Sequence, residues 1–158
     1  MNDQPKTITL TNGYKAIVDT DDYDGLNKYR WSYVKGYAIR CIKIDDRWGS
    51  ARMHRVINET PDGFDTDHIN HNKLDNRKAN LRTATRQQNL MNQLPRKNGT
   101  SEYKGVYWHK RDRKWVARIM IAGKQKSLGY FTNEKDAAGV YDKAARELFG
   151  EYSVLNSV

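Results

Sequence analysis

The sequence predicts an α+β fold that is β-rich in its N-terminal part and ends in a small three-stranded antiparallel sheet packed on one helix. The turn dipeptides Asn12-Gly13 and Lys35-Gly36 each separate runs rich in β-branched and aromatic residues, which is typical of hairpins. Apolar residues between positions 137 and 148 instead recur at helical spacing. With 158 residues, the chain is long enough for one ordinary domain or two small ones.

In the N-terminal part, residues 7–18 form the first predicted hairpin. Asp19 or Thr20 then caps a helix whose first turn is acidic, where carboxylates favour the helix dipole. This acidic run lacks the spacing of a calcium loop, so we interpret it as a solvated helix start. Residues 30–34 and 37–42 form two further strands, with Trp31 and Tyr33 expected in the core.

The C-terminal elements follow a stretch rich in Pro, Gly, Asn and Ser at residues 94–101, which has the composition of a linker. Residues 103–121 predict two strands separated by a basic segment at 110–114. A turn at Ala122-Gly123 leads into a third strand at 124–131, and a helix then begins near Asn133 and ends at Gly150.

Composition excludes several classes of protein. No apolar run approaches the ~18 residues of a membrane span, so we expect no membrane partner. The first ten residues lack the basic start and apolar run of a secretory signal. The single cysteine, Cys41, excludes an internal disulfide and a zinc staple of paired cysteines. A location in the reducing cytoplasm is therefore expected.

The net charge is +9 and is unevenly distributed. Residues 96–158 carry 13 Lys and Arg against seven Asp and Glu, whereas residues 1–95 carry 15 against 12. A strongly basic chain favours a polyanionic partner such as nucleic acid, although a basic surface can also serve solubility alone.

The most informative stretch is residues 67–89, which places an adjacent Asp67 and His68 ahead of Asn80 and Asn89. Oxygen atoms of Asp67 and Asn89 can hold a hard cation. An imidazole such as that of His68 accepts a proton from water near neutral pH, because its unperturbed pKa is ~6.5. Asn80 can orient that imidazole as an outer hydrogen-bond partner. This is the set of groups that a one-metal phosphodiesterase needs.

Local patterns support bringing these groups together. Residues 64–69 predict a short strand that ends in Asp67-His68, and residues 80–83 predict a second strand after a polar loop. Thr85 and Gln88 form a capping-box pattern, which would place Asn89 about one turn into a helix. The predicted arrangement is a ββα unit.

The same stretch resembles the HNH endonucleases of the phage and intron homing type. The matching segments are Asp67-His68, Asn72-Lys73-Leu74-Asp75-Asn76, Asn80-Leu81-Arg82 and Thr85-Arg86-Gln87-Gln88-Asn89. The resemblance implies that Asp67 and Asn89 bind one divalent ion, Mg²⁺ or alternatively Mn²⁺. It also implies that His68 is the general base and that Asn80 positions it. His71 departs from the family, which often has Gly there, and Asn89 replaces the final His, as in many homing members.

The resemblance extends upstream to His54-Arg55, because homing members often have this pair before a short helix. The implied role of both residues is contact with the scissile phosphate or the DNA backbone. Packing by His54 and a surface position for Arg55 are equally compatible with the sequence.

The C-terminal region resembles the Apetala/ethylene-response DNA-binding domain. The matching segments are Tyr103-Lys104-Gly105-Val106, Lys114-Trp115-Val116-Ala117, Leu128-Gly129 with Phe131, Glu134 with Ala137-Ala138, Tyr141-Asp142 with Ala144-Ala145, Gly150 and Leu155-Asn156. That family lays its sheet in the major groove. The implied DNA-facing residues are Lys104, Tyr107, His109, Arg118, Met120 and Lys126, with Arg111 and Arg113 at the hairpin tip. Arg96 and Lys97 of the linker could follow the phosphates.

We therefore interpret residues 1–93 as an HNH endonuclease domain with a ββα-metal core at about 54–93, residues 94–101 as a linker, and residues 102–158 as an Apetala-type DNA-binding domain. The predicted function is magnesium-dependent hydrolysis of double-stranded DNA, of the homing type, by a monomer or weak homodimer. The expected setting is a bacterial host cell, with a phage or mobile element as the source. The alternatives are a non-catalytic DNA-binding transcriptional regulator and an RNA-processing nuclease.

Overall fold

The computed structural model of this chain describes residues 4–95, 98–156 and 158. The chain divides into two compact units, Met1–Arg86 and Gln87–Val158, each with its own hydrophobic cluster. Small antiparallel sheets and helices make up both units, so the predicted α+β class is confirmed. Within the described residues, no helix is both long and apolar enough to cross a bilayer.

The first unit opens with the predicted hairpin. Strand β1 (Lys6–Thr9) pairs antiparallel with β2 (Lys15–Val18) across a 3₁₀ turn at Thr11–Gly13. Asn12 and Gly13 adopt φ angles of 67° and 77° in this turn, a region that Asn and Gly tolerate better than other residues.

Helix α1 (Thr20–Asn27) follows Asp19, as the sequence predicts. The carboxylate of Asp19 does not cap the helix with its side chain. Instead, its Oδ2 accepts a hydrogen bond from the backbone N–H of Lys78 at 2.7 Å, which ties the start of α1 to a distant loop.

A three-stranded antiparallel sheet comes next, with β4 in its centre. It consists of β3 (Ser32–Val34), β4 (Tyr37–Ile44) and β5 (Arg47–Arg52). The turn at Lys35 and Gly36 has φ angles of 50° and 91°, and its position was predicted. Strand β5 was not predicted, because its sequence RWGSAR lacks an alternation of β-branched residues.

The region of the predicted ββα unit contains its three elements in the expected order. A short helix, α2 (Met53–Ile57), precedes β6 (Asp65–His68), which pairs antiparallel with β7 (Leu81–Ala84). Helix α3 (Arg86–Met91) follows directly after Thr85. The division between the two units falls within α3, so the packing of this helix in a ββα-metal unit stays a prediction.

The core of the first unit forms around Trp31, whose side chain is 1% exposed. Its indole Nε1 donates a hydrogen bond to the carbonyl of Leu26 at 2.9 Å, so the polar edge of the ring is satisfied. The buried cluster consists of Ile8, Leu10, Ala16, Val18, Leu26, Trp31, Ala38, Met53, Ile57 and Leu81. The expectation that Trp31 packs in the core is confirmed.

The second unit is a three-stranded antiparallel sheet in the order β10-β9-β8, packed on one long helix. The strands are β8 (Val106–His109), β9 (Lys114–Ile121) and β10 (Lys124–Phe131), and the helix is α4 (Glu134–Phe149). These elements match the predicted ones.

Specific residues fix both ends of α4. Asn133 caps the helix, because its Oδ1 accepts from the N–H of Lys135 at 2.9 Å, and Gly150 stands at the C-cap. The Asp142 carboxylate accepts hydrogen bonds from Asn156, whose Oδ1 in turn accepts from the N–H of Lys104 at 2.6 Å. The chain end is thereby tied to both the helix and the segment before β8.

Candidate active site

Asp67 and His68 lie at the end of β6, where both side chains are buried, with 5% and 6% exposed. Asp67 lies opposite Arg82 in the hairpin register. The Nε and Nη2 atoms of Arg82 approach Asp67 Oδ2 at 2.9 and 2.8 Å, so the buried carboxylate has a cationic partner. The hairpin thus presents a carboxylate and an imidazole at adjacent positions.

The loop between β6 and β7 is organised by Asp75, which is 2% exposed. Arg77 donates to its two carboxylate oxygens at 2.7 and 2.6 Å, and Asn70 Nδ2 donates to Oδ2 at 2.8 Å. The hydrogen bonds from Arg77 hold the pKa of Asp75 below its ordinary value of 3.8. A buried charge with this many partners fixes the polar loop in one conformation.

Asn80 completes this loop with both ends of its amide. Its Oδ1 accepts from the N–H of Asn70 at 2.9 Å, and its Nδ2 donates to the carbonyl of Asp75 at 2.7 Å. Its own carbonyl accepts from the N–H of Ile69, the residue after His68, at 3.0 Å. These bonds let Asn80 act on His68 through the backbone, and its predicted positioning role stays a prediction.

Asn76 is the side chain that contacts the imidazole of His68, and no role was predicted for it. Asn76 is fully buried, and its Oδ1 lies 3.3 Å from His68 Nε2. Its Nδ2 donates to the carbonyl of Leu74 at 3.2 Å, which fixes the amide so that oxygen faces the imidazole. An oxygen acceptor at Nε2 favours the tautomer protonated there, which leaves the basic lone pair on Nδ1.

His54 and Tyr37 pack around His68. The His54 ring meets the His68 ring edge-on with centroids 5.0 Å apart, and Tyr37 lies 5.1 Å from His54. His54 is 3% exposed, and its Nδ1 has no hydrogen-bond partner among the described residues. Burial, aided by the nearby His68, lowers the pKa of His54 to about 3. Desolvation also lowers the pKa of His68 below 6.5, so both rings are neutral at pH 7.

This burial predicts a loss of stability in acid. Below pH 6.5 the unfolded chain binds a proton at His54, whereas the folded chain does not until its pKa of about 3. The unfolding free energy should therefore fall as the pH drops from 6.5, by about 2 kcal/mol at pH 5 for this one group. The change in unfolding free energy is measured by denaturant unfolding at pH 7 and at pH 5, with hydrogen exchange of β1 and β4 as the readout.

The variant His54→Phe keeps an aromatic ring but cannot be protonated. The fall in its unfolding free energy in acid should therefore be smaller by the contribution of His54. An equal dependence in the wild-type and His54→Phe chains would contradict the buried neutral state of His54.

Two cations flank the Tyr37 ring beside His68. Lys73 Nζ lies 4.4 Å and the Arg52 guanidinium carbon 5.3 Å from the ring centroid. Both side chains are exposed, and neither has a carboxylate partner in the part of the chain that the structure describes. Sequence reasoning missed all three residues, since only the pairing of β4 with β5 brings Tyr37 and Arg52 to this place.

The predicted metal ligands differ in how the structure places them. Asp67 is a buried carboxylate, and its two oxygens offer about four lone-pair directions, so an ion pair with Arg82 and a metal bond are compatible. Asn89 is a half-buried residue of α3 and belongs to the second unit. Carboxylate and amide oxygens fit a hard cation such as Mg²⁺.

In the described residues, no group of three or more His, Cys, Asp or Glu side chains is arranged to hold a metal ion. The predicted pair, one Asp and one Asn, lies below that number. The pairing of Asp67 with Asn89 therefore stays a prediction.

Arg55, predicted to contact DNA, is engaged within the first unit. Its guanidinium donates to the carbonyls of Phe64, Thr60 and Pro61 at 2.8, 3.2 and 3.3 Å. These bonds hold the segment that leads into β6. His54 is buried, as the packing alternative for it expects, whereas Arg55 is half-buried and bonded to the backbone instead of lying free on the surface. The DNA contact of both residues stays a prediction.

Four of the predicted DNA-facing residues of the second unit share the sheet face that points away from α4. They alternate with core residues such as Ala117 and Ile119 along the strands, and they are Tyr107, His109, Arg118 and Met120. The Arg118 guanidinium lies 4.4 Å above the Tyr107 ring. Arg111 and Arg113 are exposed in the turn between β8 and β9.

The other predicted DNA-facing residues that the structure describes do not share this outward face. Lys126 is exposed but pairs with the core residue Ile119, so the register places it on the helix-facing side, beside the outward-facing Ser127. The Lys104 amine donates to the carbonyl of Met91, and burial lowers the pKa of this lysine to about 8. Arg96 and Lys97 lie outside the described residues.

Trp108 and Trp115 lie opposite each other in the strand register, on the helix-facing side. Their rings meet edge-on with centroids 5.1 Å apart. This contact agrees with the expectation that both rings pack and do not stack on bases.

A buried imidazole and carboxylate on one hairpin, with an amide directed at the imidazole and cations nearby, define a site suited to hydrolysis of a phosphate ester. Comparisons with known proteins lead to the same class. A family model described as HNH endonuclease matches residues 52–91, which include α2, β6, β7 and α3.

Relatives across most of the chain are viral. The chain is 33% identical over 153 residues to a protein of Acanthamoeba polyphaga mimivirus named as an uncharacterized HNH endonuclease, covering 92% of this chain and 76% of the relative. It is 32% identical over 93 residues to Protein 3.8 of Escherichia phage T7, covering 59% of this chain and 76% of that protein. The chain belongs to the HNH endonuclease family.

A further relative matches a smaller part of the chain. The ethylene-responsive transcription factor WRI1 of Arabidopsis thaliana is 38% identical over 60 residues, which cover 37% of this chain and 14% of the factor. This partial match is a weak indication of an Apetala-type domain. No solved structure matches the chain.

Proposed function

We propose that this protein is a metal-dependent endonuclease of the homing type, which hydrolyses double-stranded DNA with His68 as its general base. Family membership supports nuclease activity in general, and HNH nucleases generally depend on a divalent metal ion. The observation that carries the finer proposal is the contact between His68 and the buried Asn76, which prepares one nitrogen of a neutral imidazole to accept a proton.

In this mechanism the Asn76 oxygen holds the Nε2–H of His68, so Nδ1 is the atom that removes a proton from the attacking water. Because the pKa of His68 is below 6.5, the base is unprotonated at pH 7. The Asp75 network keeps the loop that carries Asn76 in place. Water then attacks the phosphorus in line with the departing 3′ oxygen, which leaves a 5′-phosphate and a 3′-hydroxyl.

Asp67 and Asn89 are the residues that would hold one divalent ion, most simply Mg²⁺ with Mn²⁺ as a substitute. Such an ion supplies charge stabilisation at the phosphate oxygens and the leaving group. The guanidinium of Arg82 holds the Asp67 carboxylate at its place in the hairpin. One nuclease centre cuts one strand, so a monomer would nick DNA and a dimer or successive cuts would break it.

The second unit is proposed to bind duplex DNA through the outward face of its sheet, as an Apetala-type domain. Arg118 and the exposed tip residues Arg111 and Arg113 supply positive charge on or beside that face. Contacts of this kind position a protein on the phosphates and weaken with salt. The mimivirus and phage relatives support a viral or phage source for the gene.

The metal role is tested with Asp67→Ala. We expect this variant to lose Mn²⁺ binding, measured by electron paramagnetic resonance, and with it the cutting of supercoiled DNA. Asp62→Ala is the control, because Asp62 is an exposed acid in the same region and its removal should change neither. Undiminished Mn²⁺ binding by Asp67→Ala would contradict the proposed ligand.

A comparison of substrates tests whether the protein cleaves DNA or RNA. Duplex DNA and duplex RNA of equal length and sequence should differ in cleavage, with DNA cut and its ends joined by a ligase that needs a 5′-phosphate. Preferential cutting of RNA would support the RNA-processing alternative instead.

A further inference from the structure

The exposed Trp48 stands out on the surface of the first unit. It lies near the tip of the β4–β5 hairpin with 79% of its surface exposed, more than any other large hydrophobic residue that the structure describes. Large aromatic side chains contribute strongly to recognition when a partner covers them. Its position suggests a partner at this hairpin.

The strand register determines what shares a face with Trp48. Trp48 lies opposite Lys43, and two residues further down each strand Ser50 lies opposite Cys41. Arg52 follows at the base of the same face, since side chains alternate along a strand. The opposite face carries Ala38 and Arg40, which pack toward the core.

The base of this face is the candidate active site. Tyr37 is on the same side as Lys43 by alternation, and its ring packs on His54 and, with centroids 6.2 Å apart, on His68. Arg52 and Lys73 flank that ring without carboxylate partners among the described residues. Two unpaired cations held together repel each other, and a polyanion between or across them removes that cost.

The hairpin also has dimensions that suit binding in a DNA groove. Strand β3 pairs only with residues 37–39, so the rest of β4 and β5 forms a two-stranded ribbon. A two-stranded ribbon fits the major groove of B-DNA, which is about 12 Å wide. Lys43 lies six positions along β4 from Tyr37, which corresponds to about 20 Å at ~3.4 Å per residue. That length is about six base pairs at ~3.4 Å each.

We propose that the face formed by Tyr37, Arg52, Lys73 and Trp48, here called the ribbon face, is a second DNA-contact surface that is independent of the C-terminal sheet. Arg52 and Lys73 bind phosphates next to the scissile bond, and Trp48 contacts the duplex about six base pairs away. The inference rests on the proposed nuclease function for the position of the cut, but the binding itself does not depend on cleavage.

Binding is tested with the full chain and a fluorescein-labelled 40-base-pair duplex of arbitrary sequence, by anisotropy without a divalent ion at several salt concentrations. Trp48→Ala should weaken binding at least about fivefold, because it removes a large contact surface, and should change the salt dependence little, because it removes no charge. Arg52→Gln should weaken binding and reduce the slope of log K against log salt by about 0.9. Wild-type affinity and slope in both variants would overturn the proposal.

The ribbon offers matched controls on its other face. Ile44 is 54% exposed and lies opposite the exposed Arg47, so Ile44→Ala and Arg47→Gln remove the same kinds of side chain at the same end of the hairpin. Both should bind the duplex like the wild type. Equal losses in the controls and in Trp48→Ala would show that the hairpin has no preferred face and would overturn the proposal.

The position of the contact is tested with a photoreactive benzoylphenylalanine in place of Trp48, on a plasmid fragment containing a mapped cut. The crosslink is expected about six base pairs from that cut. Crosslinks to a second copy of the chain, with a change in sedimentation and none to DNA, would identify a dimer surface and overturn the proposal. If the chain did not cut but the variants and controls bound DNA as expected, the nuclease function alone would be rejected.

Discussion

Replacing His68 with Ala is expected to reduce the cleavage rate by at least ~10²–10⁴-fold, the usual contribution of a positioned general base. His68 is buried, neutral at pH 7 and fixed by Asn76, so no other described side chain is equally placed to take its role at the end of β6. The measurement is a single-turnover time course on supercoiled DNA in magnesium.

Binding should survive this substitution, because His68 is 6% exposed and lies beneath Tyr37 and His54. Anisotropy with the labelled duplex checks it. His71→Ala is the control, as it removes an imidazole from the same loop at an exposed position and should cut at the wild-type rate. An His68→Ala chain that binds and cuts like the wild type would show that the nuclease centre lies elsewhere.

The second large effect is expected for Gly105→Ala, which should unfold the C-terminal unit. Gly105 has a φ angle of +75°, and a Cβ there would lie 2.1 Å from the Tyr141 ring and 2.8 Å from the Arg118 carbonyl oxygen. The Arg118 N–H donates to the Gly105 carbonyl at 2.8 Å, and Tyr141 is 4% exposed, so neither can easily move away. Positive φ costs about 1–2 kcal/mol for alanine and overpacking about 1–3 more.

Gly123→Ala separates the cost of the positive φ angle from the cost of overpacking. Gly123 has a similar φ angle of +76° but no atom within 4 Å of an added Cβ, so only the backbone strain remains. Hydrogen exchange of β9 should show a much larger loss of protection in Gly105→Ala than in Gly123→Ala. Equal protection in the two variants would contradict the close packing of Gly105 on Tyr141.

Most secondary structure could be predicted from local patterns in the sequence. Turn dipeptides such as Asn12-Gly13 and Lys35-Gly36 need positive φ angles, and the structure shows them. The helix after Asn133 has both a capping residue and apolar positions at helical spacing. Strand β5 escaped prediction because its residues are held by pairing with β4 and not by their own propensity.

The candidate site was predictable in chemistry but not in detail. Asp67 and His68 are adjacent in sequence and so cannot be far apart, whereas the partner of the imidazole depends on how the loop folds. The carboxylate of Asp75 and the amide of Asn80 fold that loop so that Asn76 reaches His68. No spacing rule distinguishes Asn76 from the other asparagines nearby.

Contacts between residues far apart in the sequence could also not be predicted from local sequence patterns. Tyr37 meets His68 only because the sheet of β3, β4 and β5 brings it beside β6. The β10 register pairs Lys126 with Ile119, which its local sequence does not reveal, and its predicted DNA contact stays a prediction. A one-residue difference in register moves a side chain to the other face of a sheet.

The claim that this site is a metal-dependent nuclease centre is tested most directly by metal removal and restoration. Wild-type protein is stripped with a chelator, incubated with supercoiled DNA, and then given magnesium in excess of the chelator. We expect no cutting before magnesium and conversion to nicked or linear DNA after it. Specific binding without cutting, with magnesium or manganese present, would contradict the account and support a non-catalytic DNA-binding regulator.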